Sequence, residues 1–285
     1  MNGSRYVRSG GVRIHVVERG PADGQPVLLL HGFPEFWWSW RYQLDALAEA
    51  GYRAVAMDLR GFGESDRPAH VADYALPHAL GDVEAVVETL GDRVSVVCHD
   101  WGAAVGWLYA TLFPHRVERL TALSTPHPSA FAARVRTPRQ LQASWYMFMF
   151  LTPGVAEEAM ARNGYELLKL WWYGTAKVPL GEDVVDRYVE MFSRPGALEA
   201  GLNWYRANLT VSDLVSDHEV ELPPVACPVL VLWGMDDAYL VPEVGRLSQR
   251  YCEGPYRFIE LPDTGHWVQQ ERPDIVNREL LAFLR

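Results

Sequence analysis

VSVVCHDWGAAVGWLYATLF, residues 94–113, decides how this chain folds. Its first five residues are apolar or small and rich in Val, as in a short strand buried on both faces. From Ala103 to Phe113 the spacing of apolar residues turns helical. Only His99, Asp100, Trp101 and Gly102 lie between the two patterns, which leaves room for a tight turn and no more. A polar side chain on such a strand-to-helix turn, with small residues around it, has the geometry of a nucleophile elbow. The serine form of that turn reads G-x-S-x-G, and no serine here has that flanking. Asp100 takes the nucleophile position, and Cys98 rather than Gly stands two residues before it.

Working outward from the elbow, strand patterns are predicted over 12–18, 27–30, 52–57, 117–123, 229–233 and 257–261, in addition to 94–98. Helical patterns fall between them, over 40–49, 76–90, 103–113, 243–250 and 273–284. Strands alternating with helices specify the α/β class, a mostly parallel sheet covered by helices on both faces. The alternation stops after Leu123 and resumes near Val229. The intervening sequence is rich in aromatic, helix-like stretches such as SWYMFMF (144–150) and YELLKLWWYG (165–174). It is read as an inserted helical cap over 129–220, dividing a core formed by 1–128 and 221–285.

Composition bounds the partners. Hydrophobic residues at 49% and charged residues at 22% specify a compact globular chain rather than a disordered one. Thirty-six acidic against 26 basic side chains, with no Lys/Arg run, argue against nucleic acid and favour a neutral organic substrate. Three cysteines without CxxC spacing suggest neither a disulfide framework nor a zinc site, and imply a reduced compartment. No signal-peptide pattern and no run of about 20 apolar residues is visible, so the expectation is a cytoplasmic protein with no membrane partner. No His/Cys/carboxylate cluster has metal-ligand spacing, and neither metal nor cofactor is expected. Monomer and homo-oligomer both remain open.

An aspartate near its ordinary pKa of about 3.9 is ionised at neutral pH and can attack a strained, electrophilic carbon without a base. The ester so formed must then be hydrolysed, for which a His with a carboxylate partner is the usual device. Six segments bear on this: HGFPE (31–35), DLRGFGESDRP (58–68), HDWG (99–102), LNWYR (202–206), WGMDDAYLVP (233–242) and GHWVQQERP (265–273). Each is weak alone. Together and in this order they resemble the epoxide hydrolase branch of the α/β-hydrolase family, across nearly the whole chain.

The resemblance implies Asp100 as nucleophile and His266, in TGHW, as the base. It places the orienting acid five residues before Pro242, which selects Asp237 over its neighbour Asp236. It implies an oxyanion hole from the backbone of Phe33 and Trp101. Opening an epoxide also needs an acid for the leaving oxygen, and tyrosine, protonated at neutral pH, can serve. The family draws two from its cap, and Tyr146 and Tyr205 stand at the matching positions. Tyr165, Tyr173 and Tyr188 lack that context and are read as core. The implied partners are a small neutral epoxide and water. A haloalkane dehalogenase is the nearest rival, although Phe33 stands where such enzymes carry Asn. A non-catalytic binding protein on the same fold is a rival of another class.

Overall fold

The computed structural model describes residues 3–216 and 219–285, with side chains except at Trp172 and Tyr173. Eight strands form one sheet: β1 (Gly3–Ser9), β2 (Val12–Arg19), β3 (Pro26–Leu30), β4 (Arg53–Met57), β5 (Val94–His99), β6 (Val117–Leu123), β7 (Val229–Gly234) and β8 (Tyr256–Leu261). Their spatial order is β1-β2-β4-β3-β5-β6-β7-β8. β2 runs antiparallel to both β1 and β4, and every later pairing is parallel.

The sequence reading omitted β1. GSRYVRS is an edge strand, mostly exposed, so it lacks the apolar alternation that marks the others. Its evidence lies in the turn instead: Gly10 and Gly11 both have positive φ, as a two-residue hairpin requires. Helix Asp100–Leu112 also begins at the elbow residue itself rather than at 103, and the pattern over 243–250 divides into helix Pro242–Leu247 and a 3₁₀ turn, Ser248–Tyr251.

The apolar strands are buried on both sides. Leu28 and Leu30 of β3 and Val229, Val231 and Trp233 of β7 face one core, shared with Val83, Val86 and Val105 of the helices Leu76–Glu88 and Asp100–Leu112. Val27, Leu29, Leu230 and Leu232 face the other, against Leu44 and Leu47 of helix Arg41–Glu49 and Val276 and Leu280 of helix Pro273–Leu284. Between β6 and β7 the chain leaves the sheet for a run of helices from Pro128 to Val215. The loops that follow β3, β5, β7 and β8 open at the carboxyl ends of the parallel strands, the edge at which open α/β sheets place their ligand crevice.

Candidate active site

Asp100 opens its helix with φ of +50°, a left-handed conformation that few L-residues tolerate and Asp tolerates better than most. Its N–H donates to Thr125 Oγ1 at 2.8 Å, which ties the turn to the chain just beyond β6. The turn is closely packed: a Cβ on Gly102 would lie 2.3 Å from the Leu30 carbonyl oxygen. Cys98, where the serine form has Gly, finds its room one helix away. Its Sγ donates to the Thr121 carbonyl at 3.3 Å, and a Cβ on Gly106 would lie 2.7 Å from that sulfur.

The loops after β7 and β8 bring Asp237 and His266 together. His266 Nδ1 donates to Asp237 Oδ2 at 2.7 Å, and its Nε2 lies 3.7 Å from Asp100 Oδ2. Asp237 Oδ1 accepts the N–H groups of Tyr239 (2.8 Å) and Leu240 (3.0 Å), so the acid is held from both oxygens. Asp236 is exposed and contributes only its backbone, donating to the Thr264 carbonyl.

Burial opposes a charge on His266, yet the Asp237 charge, the hydrogen bond to Asp237 and the nearby Asp100 carboxylate outweigh it and raise the imidazole to about 10. Burial likewise pushes Asp100 up, but the His266 imidazolium 3.7 Å away, then His99 and the Phe33 N–H, bring it below the ordinary carboxylate range. The resting site therefore holds Asp100 ionised and His266 protonated. Phe33 N–H donates to Asp100 Oδ1 at 2.7 Å. Trp101 lies in the first turn of the helix, where backbone N–H groups have no acceptor within the helix.

Tyr146, on helix Trp145–Phe150, and Tyr205, on helix Ala197–Asn208, both come to Asp100. They line one cavity of about 360 Å³ with it, their rings edge to face at 6.1 Å and that of Tyr205 also against Trp101 at 5.1 Å. Burial, and then the nearby Asp100 charge with neighbouring tyrosines, pushes both phenols well above their ordinary pKa of 10, so both stay protonated. Arg206 braces the pair: its guanidinium donates to the Phe150 carbonyl at 2.9 Å and to both Glu157 oxygens. Tyr188 is buried with its hydroxyl on Gln270, Tyr165 donates to the Phe192 carbonyl, and the Tyr173 side chain lies outside the described residues.

Sequence reasoning missed the polar residues behind His266. His99 spans Glu35 Oε2 (2.8 Å) and the His266 carbonyl (3.0 Å), while Gln269 and Gln270 donate to the same buried Glu35. Glu271, also buried, accepts the N–H groups of Gly265 (2.9 Å), Trp267 (3.2 Å), Lys177 (2.8 Å) and Val178 (3.2 Å). Glu35, Gln269 and Glu271 all stand inside the motifs HGFPE and GHWVQQERP, so their positions were visible while their burial was not. Among the described residues no three His, Cys, Asp or Glu side chains are placed to hold a metal ion.

An elbow, an acid and a histidine at the carboxyl ends of β5, β7 and β8 of a mostly parallel sheet define an α/β hydrolase, and a family model for the α/β hydrolase fold matches residues 25–273. Epoxide hydrolase 4 of Homo sapiens is 36% identical over 98% of this chain and 77% of its own length. Epoxide hydrolase A of Mycobacterium tuberculosis is 32% identical over 98% of this chain and 96% of its own. The crystal structure of a Bacillus megaterium epoxide hydrolase in complex with an inhibitor superposes with a TM-score of 0.88 at 30% identity, covering 98% of this chain and 99% of that one. The chain belongs to the epoxide hydrolase family of the α/β-hydrolase fold.

Proposed function

We propose that this protein hydrolyses epoxides to vicinal diols through a covalent ester on Asp100. The observation that carries the proposal is the pairing, in one cavity, of an ionised carboxylate with two buried, protonated tyrosines. A carboxylate oxygen of Asp100 forms a bond to an epoxide carbon as the C–O bond breaks. The departing oxygen takes a proton from the Tyr146/Tyr205 pair, and His266, protonated at rest, restores it. His266 is then neutral. It takes a proton from a water whose oxygen attacks the Asp100 ester carbon, and the N–H groups of Phe33 and Trp101 stabilise the oxyanion. Collapse releases the diol and returns Asp100 ionised and His266 protonated, so the cycle closes with one water added. A departing halide would need no acid and would leave the tyrosine pair without a role.

In this reading the helices over 129–220 are a cap that carries the acid pair, and 1–128 with 221–285 form the core that carries nucleophile, acid and base. Location in the cytoplasm is supported by three cysteines that form no disulfide. No described helix is long and apolar enough to cross a membrane.

The test is to trap the ester. His266→Ala mixed with an aryl epoxide should gain the mass of one substrate, mapped to the peptide that contains Asp100, and Asp100→Ala should gain none. Tyr146→Phe and Tyr205→Phe should each slow adduct formation, by roughly 10²-fold in line with general acid catalysis. Solvent oxygen found directly in the diol of a single turnover, with none in Asp100, would overturn the covalent route.

A further inference from the structure

The space around Asp100 is not symmetric. The cavity runs from the carboxylate and the tyrosine hydroxyls along Trp101, Leu108, Phe131, Met147 and Leu240. Its lining also includes Asn208, whose amide is fully engaged, and Asp213, whose Oδ2 is engaged by Thr210. Asn208 bonds the backbone of Leu76, Tyr74 and Trp204, and Asp213 forms a capping box with Thr210. A substituent extending along the cavity therefore meets mostly apolar walls, which suits an aryl or alkyl chain. A volume of about 360 Å³ is at the small end of the roughly 300–1,000 Å³ usual for ligand pockets, enough for one such substituent.

On the other side of the tyrosine pair the described side chains are packed rings that do not line the cavity. Phe150 lies against Tyr146 and Tyr205 with centroids 5.4 and 4.8 Å away, and stacks on Trp171 at 5.1 Å. Trp171 meets Tyr146 edge-on at 5.2 Å, and Phe33 closes on Phe150, Trp171 and Tyr205. All three of Phe33, Phe150 and Trp171 are buried. An epoxide whose oxygen sits on the tyrosine hydroxyls and whose carbon faces Asp100 can extend one ring carbon into the cavity. Its second carbon then faces this wall.

We infer that the site selects terminal epoxides carrying one apolar aryl or alkyl substituent, and that the wall of Phe33, Phe150 and Trp171 excludes trans-1,2-disubstituted ones. The inference rests on the epoxide reading given above.

A minimal substrate pair tests it: styrene oxide and trans-β-methylstyrene oxide, which differ by one methyl group on the second carbon. The wild-type protein should prefer styrene oxide by at least tenfold in kcat/KM, the low end of what one methylene is worth in a shaped pocket. Trp171→Ala should raise turnover of the trans substrate at least tenfold while styrene oxide stays within about tenfold of wild type. On the open side, Leu108→Trp should lower kcat/KM for styrene oxide at least tenfold more than for propylene oxide. Turnover of both members of the pair within threefold by the wild type would overturn the inference and leave the epoxide reading intact. A Trp171→Ala variant that hydrates styrene oxide but gains nothing on the trans substrate would overturn the wall. Absence of diol from every epoxide would sink both readings together.

Discussion

At the scale of single residues, the site turns on what holds His266. Its side chain is fixed by Asp237, and its loop is fixed by Glu271, whose carboxylate takes the N–H groups immediately before and after it. The same carboxylate takes two N–H groups from residues 177 and 178, so the chain leaving helix Val155–Thr175 and the His266 loop share one anchor. A glutamine there keeps the shape but offers a single acceptor oxygen, leaving part of the backbone set unsatisfied. Glu271→Gln should therefore slow hydrolysis of the Asp100 ester by about tenfold or more, while ester formation, which needs only Asp100 and the tyrosines, stays within about threefold. Rapid-quench measurement of the two steps decides this. A part that merely supported the fold would slow both alike. Asp100 and His266 were legible because a turn and a motif both marked them. Asp237 was separated from Asp236 only by its distance from Pro242, and the two differ in the structure as a buried partner of His266 and an exposed turn residue. Nothing in the sequence marks Glu271 as buried, since an acidic residue before Arg272 and Pro273 reads as an ordinary helix start.

At the scale of elements, seven of the eight strands were legible: β3, β5 and β7, buried on both faces, read as near-continuous apolar runs, and β2 showed a partial alternation. The helices between β6 and β7 were legible only as a class. Several are five to seven residues long, and helix Val155–Thr175 is interrupted at residues 162–165, where Asn163 and Tyr165 take positive φ. Such breaks are set by tertiary packing and leave little periodicity to read. Two glycines in neighbouring helices separate local from tertiary demands. Gly81 lies exposed within helix Leu76–Glu88 with nothing within 4 Å of an added Cβ, so Gly81→Ala should stabilise by ~0.5–1 kcal/mol through helix propensity. Gly102 has the same propensity argument in helix Asp100–Leu112, yet its Cβ would meet the backbone of Leu30 and His31, which has no freedom to yield. Gly102→Ala should cost at least ~2 kcal/mol and displace Asp100 from Phe33 N–H. Urea unfolding of the two variants should move in opposite directions, and a stabilised Gly102→Ala would mean that the elbow packs less tightly than described.

At the scale of the whole molecule, buried histidines should shape stability across pH from both sides. His266 is raised from 6.5 to about 10 in the fold, so the folded chain binds its proton more tightly than the unfolded chain does. That contribution is fully present below about 6.5 and is lost as pH rises through about 10. His127 is shifted the opposite way, to about 4, by burial alone, and His31 is lowered by burial against the opposing charge of Asp58. For these two the unfolded chain binds the proton more tightly. Their contribution is present above about 6.5 and declines as pH falls toward 4, where protonation of Asp66, Glu18 and Glu157, all lowered in the fold, adds to the loss. The two trends give a stability maximum near neutrality, well above the sequence pI of about 5.4, because paired and buried groups set it rather than net charge. The alkaline limb is separable. Asp100→Asn removes one of the two charges that hold the His266 proton, so its imidazole should titrate at lower pH and the alkaline decline should begin earlier, while the share of the acid limb set by His127, which burial alone shifts, stays in place. Thermal unfolding from pH 4 to 10, on the wild type and on Asp100→Asn, measures both limbs. A wild-type profile flat between pH 7 and 10, or one whose alkaline decline is unmoved in Asp100→Asn, would show that the Asp100 charge does not hold the proton on His266. The order of proton transfers derived for the reaction, in which the base becomes free only once the nucleophile is esterified, would fall with it.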